Sequence, residues 1–336
     1  MRAMVLECAG KLKAETRDIP VPGDGEALVR VSHSGICGTD LEIFNGGIPV
    51  AYPRIMGHEM IGEVAQEVSG APAAGTRVIV DSAYYCGICY QCRAGQFNLC
   101  PSGGLIGRDR DGGFAGYVSA PVANLFALPD EIAGREAPLI QVLATCVHAQ
   151  SMAPIARGQS VLVIGLGVTG QLHVQLAKAA GAASVIGMTR SQWKCDLAMQ
   201  LGADVALVPG RNARDQILEM TGGRGPDLVI ETSGHLPSLA RAIDLVRIGG
   251  RILPFGIYTG TTAELPFYQL YFKELKILNS RAAKGEDYPP SIEFVRSGKV
   301  RLQPLISHEM KLENLGQALG HLASADTRTM KIILQH

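Results

Sequence analysis

The chain lacks an excess of either charge: 31 basic and 31 acidic side chains cancel over 336 residues. That balance excludes a global basic field of the kind that gathers nucleic acid or an anionic membrane. Long apolar runs are missing as well. No stretch of about 18 uncharged apolar residues occurs, which argues against a membrane-spanning helix. The opening MRAMVLECAGKLKAE puts charges where an export signal needs its apolar region. Aromatic residues are scarce, with one Trp, nine Tyr and eight Phe, so a broad aromatic pocket for bulky ligands is not expected. Phe44, Tyr52 and Leu105 are the plausible pocket walls, each equally well explained as core. Internal repeats, low-complexity tracts and charge runs are absent. Charged residues make up 18% and hydrophobic residues 47%, enough for a real core and too little charge for disorder. The length is about twice the usual single-domain size, so two domains are expected. The reading is of a soluble, cytoplasmic chain.

What the sequence holds in excess is glycine, 40 residues, well above the usual ~7%. It also holds eight cysteines, and their spacing separates them. Cys86, Cys89, Cys92 and Cys100 lie together in CGICYQCRAGQFNLC. Short gaps let consecutive thiolates converge on one ion while the backbone turns back on itself. Four sulfur donors with no open position describe a closed tetrahedral structural zinc site, in a lobe over residues 84–101. Iron–sulfur signatures distribute the gaps differently. Cys8, Cys146 and Cys195 read as buried thiols.

The first ~150 residues read as short β segments broken by Gly, Pro and Asp, among them EALVRVSHSGICG, IGEVAQEV and RVIVDSAYY. From about residue 150 strand and helix alternate: SVLVIG, VTGQLHVQLAKAAGA, ASVIGMT, QWKCDLAMQLGA, PDLVIETSG, ARAIDLVR, GGRILPFG. That rhythm predicts an α/β, Rossmann-type doubly wound parallel sheet. After about residue 285 come a short helix in PPSIEFVRSG, a second from about Leu312 to His321, and a last strand, MKIIL.

Gly165, Gly167 and Gly170 stand in GLGVTG between a predicted strand and a predicted helix, the context a dinucleotide loop requires. The first glycine makes the turn, the second admits the pyrophosphate, and the third lets helix and strand close up. Val168 and Thr169 open the helix, whose N-terminal N–H groups favour negative charge. NAD-binding loops carry an Asp or Glu about 20 residues further on, bonded to the ribose. Here Thr189 holds that place, followed by Arg190 and, one turn on, Lys194. No carboxylate repels a 2′-phosphate and two cations stand ready to pair with it, so NADP(H) is expected over NAD(H).

Cys37 in GICGTD and His58-Glu59 in GHEMIGEV complete the set. One thiolate, one imidazole and a third side-chain ligand leave an open zinc position, the arrangement of a catalytic site. On GICGTD, GHExxGxV, the four-cysteine lobe, the glycine loop and the closing TMKIIL, in this order, the chain resembles the zinc-dependent medium-chain dehydrogenases over nearly its whole length. This is the alcohol and polyol dehydrogenase family. The resemblance implies a mainly-β, GroES-like catalytic domain over 1–149 and 285–336, a Rossmann domain over 150–284, and an active site in the cleft between them. It implies two zinc ions per subunit, one catalytic and one structural.

The match to GICGTD implies that Thr39 takes the alcohol proton and that Asp40 fixes the His58 tautomer. Glu59 is either a ligand or a carboxylate that exchanges onto the metal. The third ligand falls, by the resemblance, seven residues before a helical histidine; here that is Gln141, before His148, as ligand or substrate contact. Where relatives often have a relay histidine five residues after the zinc cysteine, this chain has Glu42. Arg281 resembles an arginine near the cofactor phosphates, and Lys331 a basic residue near the pyrophosphate. The family branch implied is the polyol, sugar and secondary-alcohol one. Rival readings are an NADPH-dependent reductase of simple aldehydes and ketones, a catalytically idle zinc-stapled nucleotide binder, and a zinc-independent quinone reductase; the Cys37/His58 pair argues against the last two. The resemblance also implies a homodimer or homotetramer joined at the Rossmann sheet edges, with GGRILPFGIY as the edge.

Overall fold

The structure is a computed structural model and describes every residue except 259, 261, 263 and 325–327. The chain divides into two compact units, one of residues 1–144, 283–296 and 302–336, the other of 145–282 and 297–301. The division falls inside helix Leu139–Met152 rather than after it, and the short stretch 297–301 joins the second unit.

The first unit is built on a seven-stranded sheet. Strand Glu26–Ile36 lies at its centre, with Glu59–Val64 antiparallel on one side and the C-terminal Lys331–Gln335 antiparallel on the other. The central strand alternates into two apolar clusters. Ala27, Val29 and Val31 pack with Met60, Val64, Val78 and Val118, while Ile36 joins Ile43, Phe114, Ile332 and Leu334. Each such Val, Leu, Ile, Met or Phe side chain, fully buried, contributes ~1.5–3 kcal/mol. Phe44 packs against the second cluster and Tyr52 is 41% exposed.

The register has a consequence for function. Gly35 is opposite Glu59 and Ile36 is opposite Ile332. Cys37, one residue beyond the central strand, and His58, one residue before its neighbour, therefore emerge at the same end of the sheet. Sheet pairing alone brings together two residues 21 positions apart in the sequence.

The second unit has six parallel strands in the order Val205–Leu207, Ser184–Met188, Ser160–Ile164, Leu228–Glu231, Arg251–Pro254, Lys276–Ile277. Numbered within the unit this is 3-2-1-4-5-6, the dinucleotide-binding order. Its interior strands are continuous apolar runs because both faces are covered; Val161, Val163, Leu162, Val229 and Ile230 are all buried. One expectation fails here. Strand Arg251–Pro254, in the segment expected at the sheet edge, is paired on both sides. The edge on that side is the two-residue strand Lys276–Ile277.

Candidate active site and cofactor loop

Cys37 caps helix Gly38–Phe44. Its backbone N–H donates to Asp40 Oδ2 at 2.9 Å, so the Asp40 carboxylate is turned back over the start of the helix. The other oxygen, Oδ1, lies 3.3 Å from His58 Nδ1; both atoms are buried, and neither has a better hydrogen-bond partner. Asp40 thus orients the ring and leaves Nε2 as the free ligand nitrogen. Burial pulls the His58 pKa down, but the Asp40 carboxylate and Cys37 beside it hold it well above the ordinary imidazole value. Ser82 fixes the backbone here by donating its hydroxyl to the His58 carbonyl.

Glu59 is fully buried. Its carboxylate lies so close to the α-carbon of Gly35 that a Cβ there would come within 2.2 Å of Oε2; any residue but glycine at 35 would expel it. Lys331 Nζ sits 2.8 and 2.7 Å from the two Glu59 oxygens and 3.1 Å from the Ile36 carbonyl. An ammonium has three donors, and all are used. Lys331, expected at the cofactor pyrophosphate, is instead buried at 4% exposure as the counter-ion of Glu59. Burial disfavours its charge, yet Glu59 and Cys37 raise its pKa above the usual value. The physical reason is the inserted C-terminal strand, which aims Lys331 inward.

The ligand atoms of Cys37, His58 and Glu59 all lie within 4.8 Å of one another. A thiolate, an imidazole and a carboxylate are a zinc donor set, and three protein donors leave a fourth position for another ligand. Thr39, beside Cys37, is half-buried, and its hydroxyl is free among the described residues. Gln141 stands in the first turn of helix Leu139–Met152, half-buried, with its amide unpaired among the described residues. Glu42 is exposed.

Cys86, Cys89, Cys92 and Cys100 form the second group. Sγ of Cys100 is 3.6 Å from that of Cys86 and 3.8 Å from that of Cys89. Those separations are far too long for a disulfide and match the edge of a ZnS4 tetrahedron, about 3.8 Å for Zn–S bonds near 2.3 Å. The backbone N–H groups of Ile88 and Cys89 lower the Cys86 thiol pKa to about 6. Of the three other cysteines, Cys146 and Cys195 are buried as expected, but Cys8 is exposed. It closes the first strand, where a register shift after Leu6 turns it outward.

In the second unit the glycine loop obeys steric necessity. Gly165 has φ +88°, and a Cβ there would meet Thr232 Oγ1 at 2.7 Å. A Cβ on Gly170 would strike the Gly165 carbonyl at 1.9 Å, whereas one on Gly167 would meet nothing. The second glycine therefore faces open space above the N-terminus of helix Val168–Ala179, where a pyrophosphate is stabilised. Thr189 follows the end of the next strand, Ser184–Met188, and Arg190 is exposed, its guanidinium free among the described residues. Lys194 lies 5.3 Å over the Trp193 ring, and burial lowers its pKa. Arg281 is exposed.

Glu231 was not singled out from the sequence. It is fully buried at the end of strand Leu228–Glu231. It accepts from the N–H of Ser233 at 2.9 Å, the N–H of Gly234 at 3.0 Å, and the hydroxyls of Ser233 and Tyr258. It shapes the loops at the carboxyl end of the sheet, where nucleotides bind in this topology. A carboxylate closing an otherwise apolar strand, as in DLVIETSG, was the available signal.

Comparison with known proteins agrees with this geometry. The family model for the alcohol dehydrogenase GroES-like domain matches residues 23–130, and that for zinc-binding dehydrogenases matches residues 168–297. A sorbitol dehydrogenase of Halalkalibacterium halodurans is 31% identical over 330 residues, 97% of this chain and 96% of that protein. Among solved structures, a zinc-binding dehydrogenase of Sinorhizobium meliloti 1021 bound to NADP is similar at TM-score 0.92 and 31% identity, over 100% of this chain and 99% of that one. The rspB alcohol dehydrogenase of Escherichia coli CFT073, complexed with NADH, is similar at TM-score 0.93 and 28% identity, over the same shares.

Proposed function

The chain belongs to the zinc-dependent medium-chain dehydrogenases, and from that premise we propose that it oxidises, reversibly, a secondary hydroxyl of a small polyol, diol or sugar derivative with NADP. The observation that carries the chemistry is the convergence of Cys37, His58 and Glu59, with Thr39 two residues beyond Cys37. Zinc held there supplies a Lewis acid that makes a substrate hydroxyl easier to deprotonate. Thr39 receives the proton from that hydroxyl and passes it outward. Asp40 holds His58 in the tautomer that keeps Nε2 for the metal. Lys331 neutralises Glu59, so the carboxylate binds the metal only by giving up part of that ion pair. The neutral, unpartnered amide of Gln141 is our choice for the remaining contact, to metal or to substrate. Since Glu42 is exposed, it has direct access to bulk water as the outer end of the proton path.

The NADP preference rests on Thr189 in place of a carboxylate and on the free guanidinium of Arg190 near Lys194. The sorbitol-oxidising relative supports the polyol reading, and the NADP-bound relative the cofactor reading; the NADH-bound one makes the cofactor the sharper question. The test is the initial rate of nicotinamide reduction by zinc-replete protein across polyols, vicinal diols and simple alcohols, each with NADP and NAD. Turnover of polyols or diols with at least a tenfold preference for NADP in kcat/KM is expected, about what one charge-assisted contact provides. Turnover of simple alcohols alone, or with NAD as well as with NADP, refutes it.

We further propose that two copies join through the sheet edge at Lys276–Ile277. Ile277 is 42% exposed, and beside it in sequence helix Phe267–Phe272 exposes Phe267, Tyr268, Tyr271 and Phe272, Tyr271 to 84%. An unpaired strand and an apolar patch of this kind call for a partner. Native mass measurement should give a dimer or tetramer, and Tyr271→Glu should shift it toward monomer; a monomeric wild type refutes the assignment. None of the eight cysteines is joined in a disulfide, which fits the reducing cytoplasm. No helix among the described residues is long and apolar enough to cross a membrane.

A further inference from the structure

Helix Val168–Ala179 packs on its sheet, yet three of its buried side chains are polar: Gln171, His173 and Gln175. Two have partners away from the cofactor loop, although His173 Nε2, like one atom of Gln171, is buried without one. His173 Nδ1 is 3.2 Å from Gln150 Nε2, with Phe255 edge-on to the ring, and Gln175 pairs with both backbone groups of Arg301. Gln171 is different. It has no exposed surface, and its Nε2 donates to two carbonyls that belong to other segments: Leu166 at 3.3 Å and Lys194 at 2.9 Å. Its Oε1 is buried without a partner. An orphaned buried acceptor is costly, so an apolar side chain of similar size would serve the core better.

The two carbonyls explain why an amide stands there. Leu166 lies between Gly165 and Gly167, the loop under the pyrophosphate, and its side chain packs over Gly187 of the neighbouring strand. Lys194 is in the first turn of helix Gln192–Gln200, four residues after Arg190. One side chain thereby ties the segment that takes the pyrophosphate to the turn that carries the two cations. We propose that Gln171 is a positioning residue for cofactor choice, holding Arg190 and Lys194 at the distance from the glycine loop that a ribose 2′-phosphate requires. This rests on the NADP reading above.

The test is cofactor binding to the full-length protein, followed by Trp193 fluorescence and calorimetry, with NADPH and NADH. Wild type is measured first. If it binds NADH as tightly as NADPH, the NADP reading fails and this assignment falls with it. If it prefers NADPH, Gln171→Leu is expected to weaken NADPH about tenfold, the worth of one positioned contact, and NADH less than about twofold. The KM for NADP should rise with kcat unchanged, and Tm should move little, because the orphaned acceptor goes together with the two donated bonds. An unchanged NADPH/NADH ratio, or equal weakening of both, overturns the proposal. If Gln171→Leu does not fold, Gln171→Met fills the same space with an unbranched chain and is read by the same criteria.

Discussion

Cys37→Ala is expected to lower kcat/KM by about 10³-fold or more, the several kcal/mol that a Lewis acid at the reacting oxygen is worth. The substitution removes the sulfur donor from the group formed with His58 and Glu59 and leaves the four-cysteine lobe alone. Metal analysis should therefore show zinc per chain falling from about two to about one, one for each donor group, while the melting temperature moves little. Cys37 is a half-buried helix cap, and the backbone N–H that meets Asp40 survives in alanine. Asp40→Asn should act more mildly. It keeps the shape beside His58 but loses the charge, and weaker metal binding by about 10–100-fold is expected. Activity retained by Cys37→Ala at full zinc content would exclude this group as the reaction centre. The reverse substitution, Cys100→Ala in the lobe, should lower Tm and leave the intrinsic rate of the surviving folded protein near wild type.

What could be foreseen from the sequence follows the range of the interactions involved. The cysteine lobe and the glycine loop are local: ligand spacing and steric need are written within fifteen and six consecutive residues. Strand–helix alternation announced the parallel sheet for the same reason. The pairing of Lys331 with Glu59 was not foreseen because its partner is 272 positions away, and only the insertion of the C-terminal strand beside Glu26–Ile36 makes them neighbours. Gly35 was overlooked on the same account, since its missing Cβ matters only once Glu59 lies opposite. The sheet edge was misplaced because interior and edge strands of a parallel sheet are both apolar, and the true edge strand is too short to show a pattern. Helix Phe267–Phe272 sets Phe267, Tyr268, Tyr271 and Phe272 on one face, a spacing that reads as a core stripe until their exposure is known. Gln171 sat in a helix whose polar residues pass for a solvated face until burial is known.

Lys331→Met is the variant that separates two meanings of the same residue. If Lys331 were a cofactor contact, its loss would raise the KM for NADP and leave stability alone. The geometry demands the opposite. Glu59 has no exposed surface, and Lys331 supplies the buried charge that both its oxygens meet. Removing one member of a buried pair leaves the other charged and unsolvated, which costs about 3–5 kcal/mol. For a chain this size that is a fall in Tm of the order of 10 °C. Replacing both, Lys331→Met with Glu59→Gln, removes the stranded charge and should recover more than half of the loss, because a buried ion pair contributes little net stability over a neutral replacement. Glu59→Gln alone strands the ammonium instead and should destabilise by a similar amount. The double variant also tests what Glu59 does for the metal. Catalytic zinc retained, with stability restored, would mean that the carboxylate serves as a charge beneath the site and that Cys37, His58 and a neutral third donor suffice. Catalytic zinc lost from the stable double variant would make Glu59 a ligand in its own right, with Lys331 as the cation that tempers it.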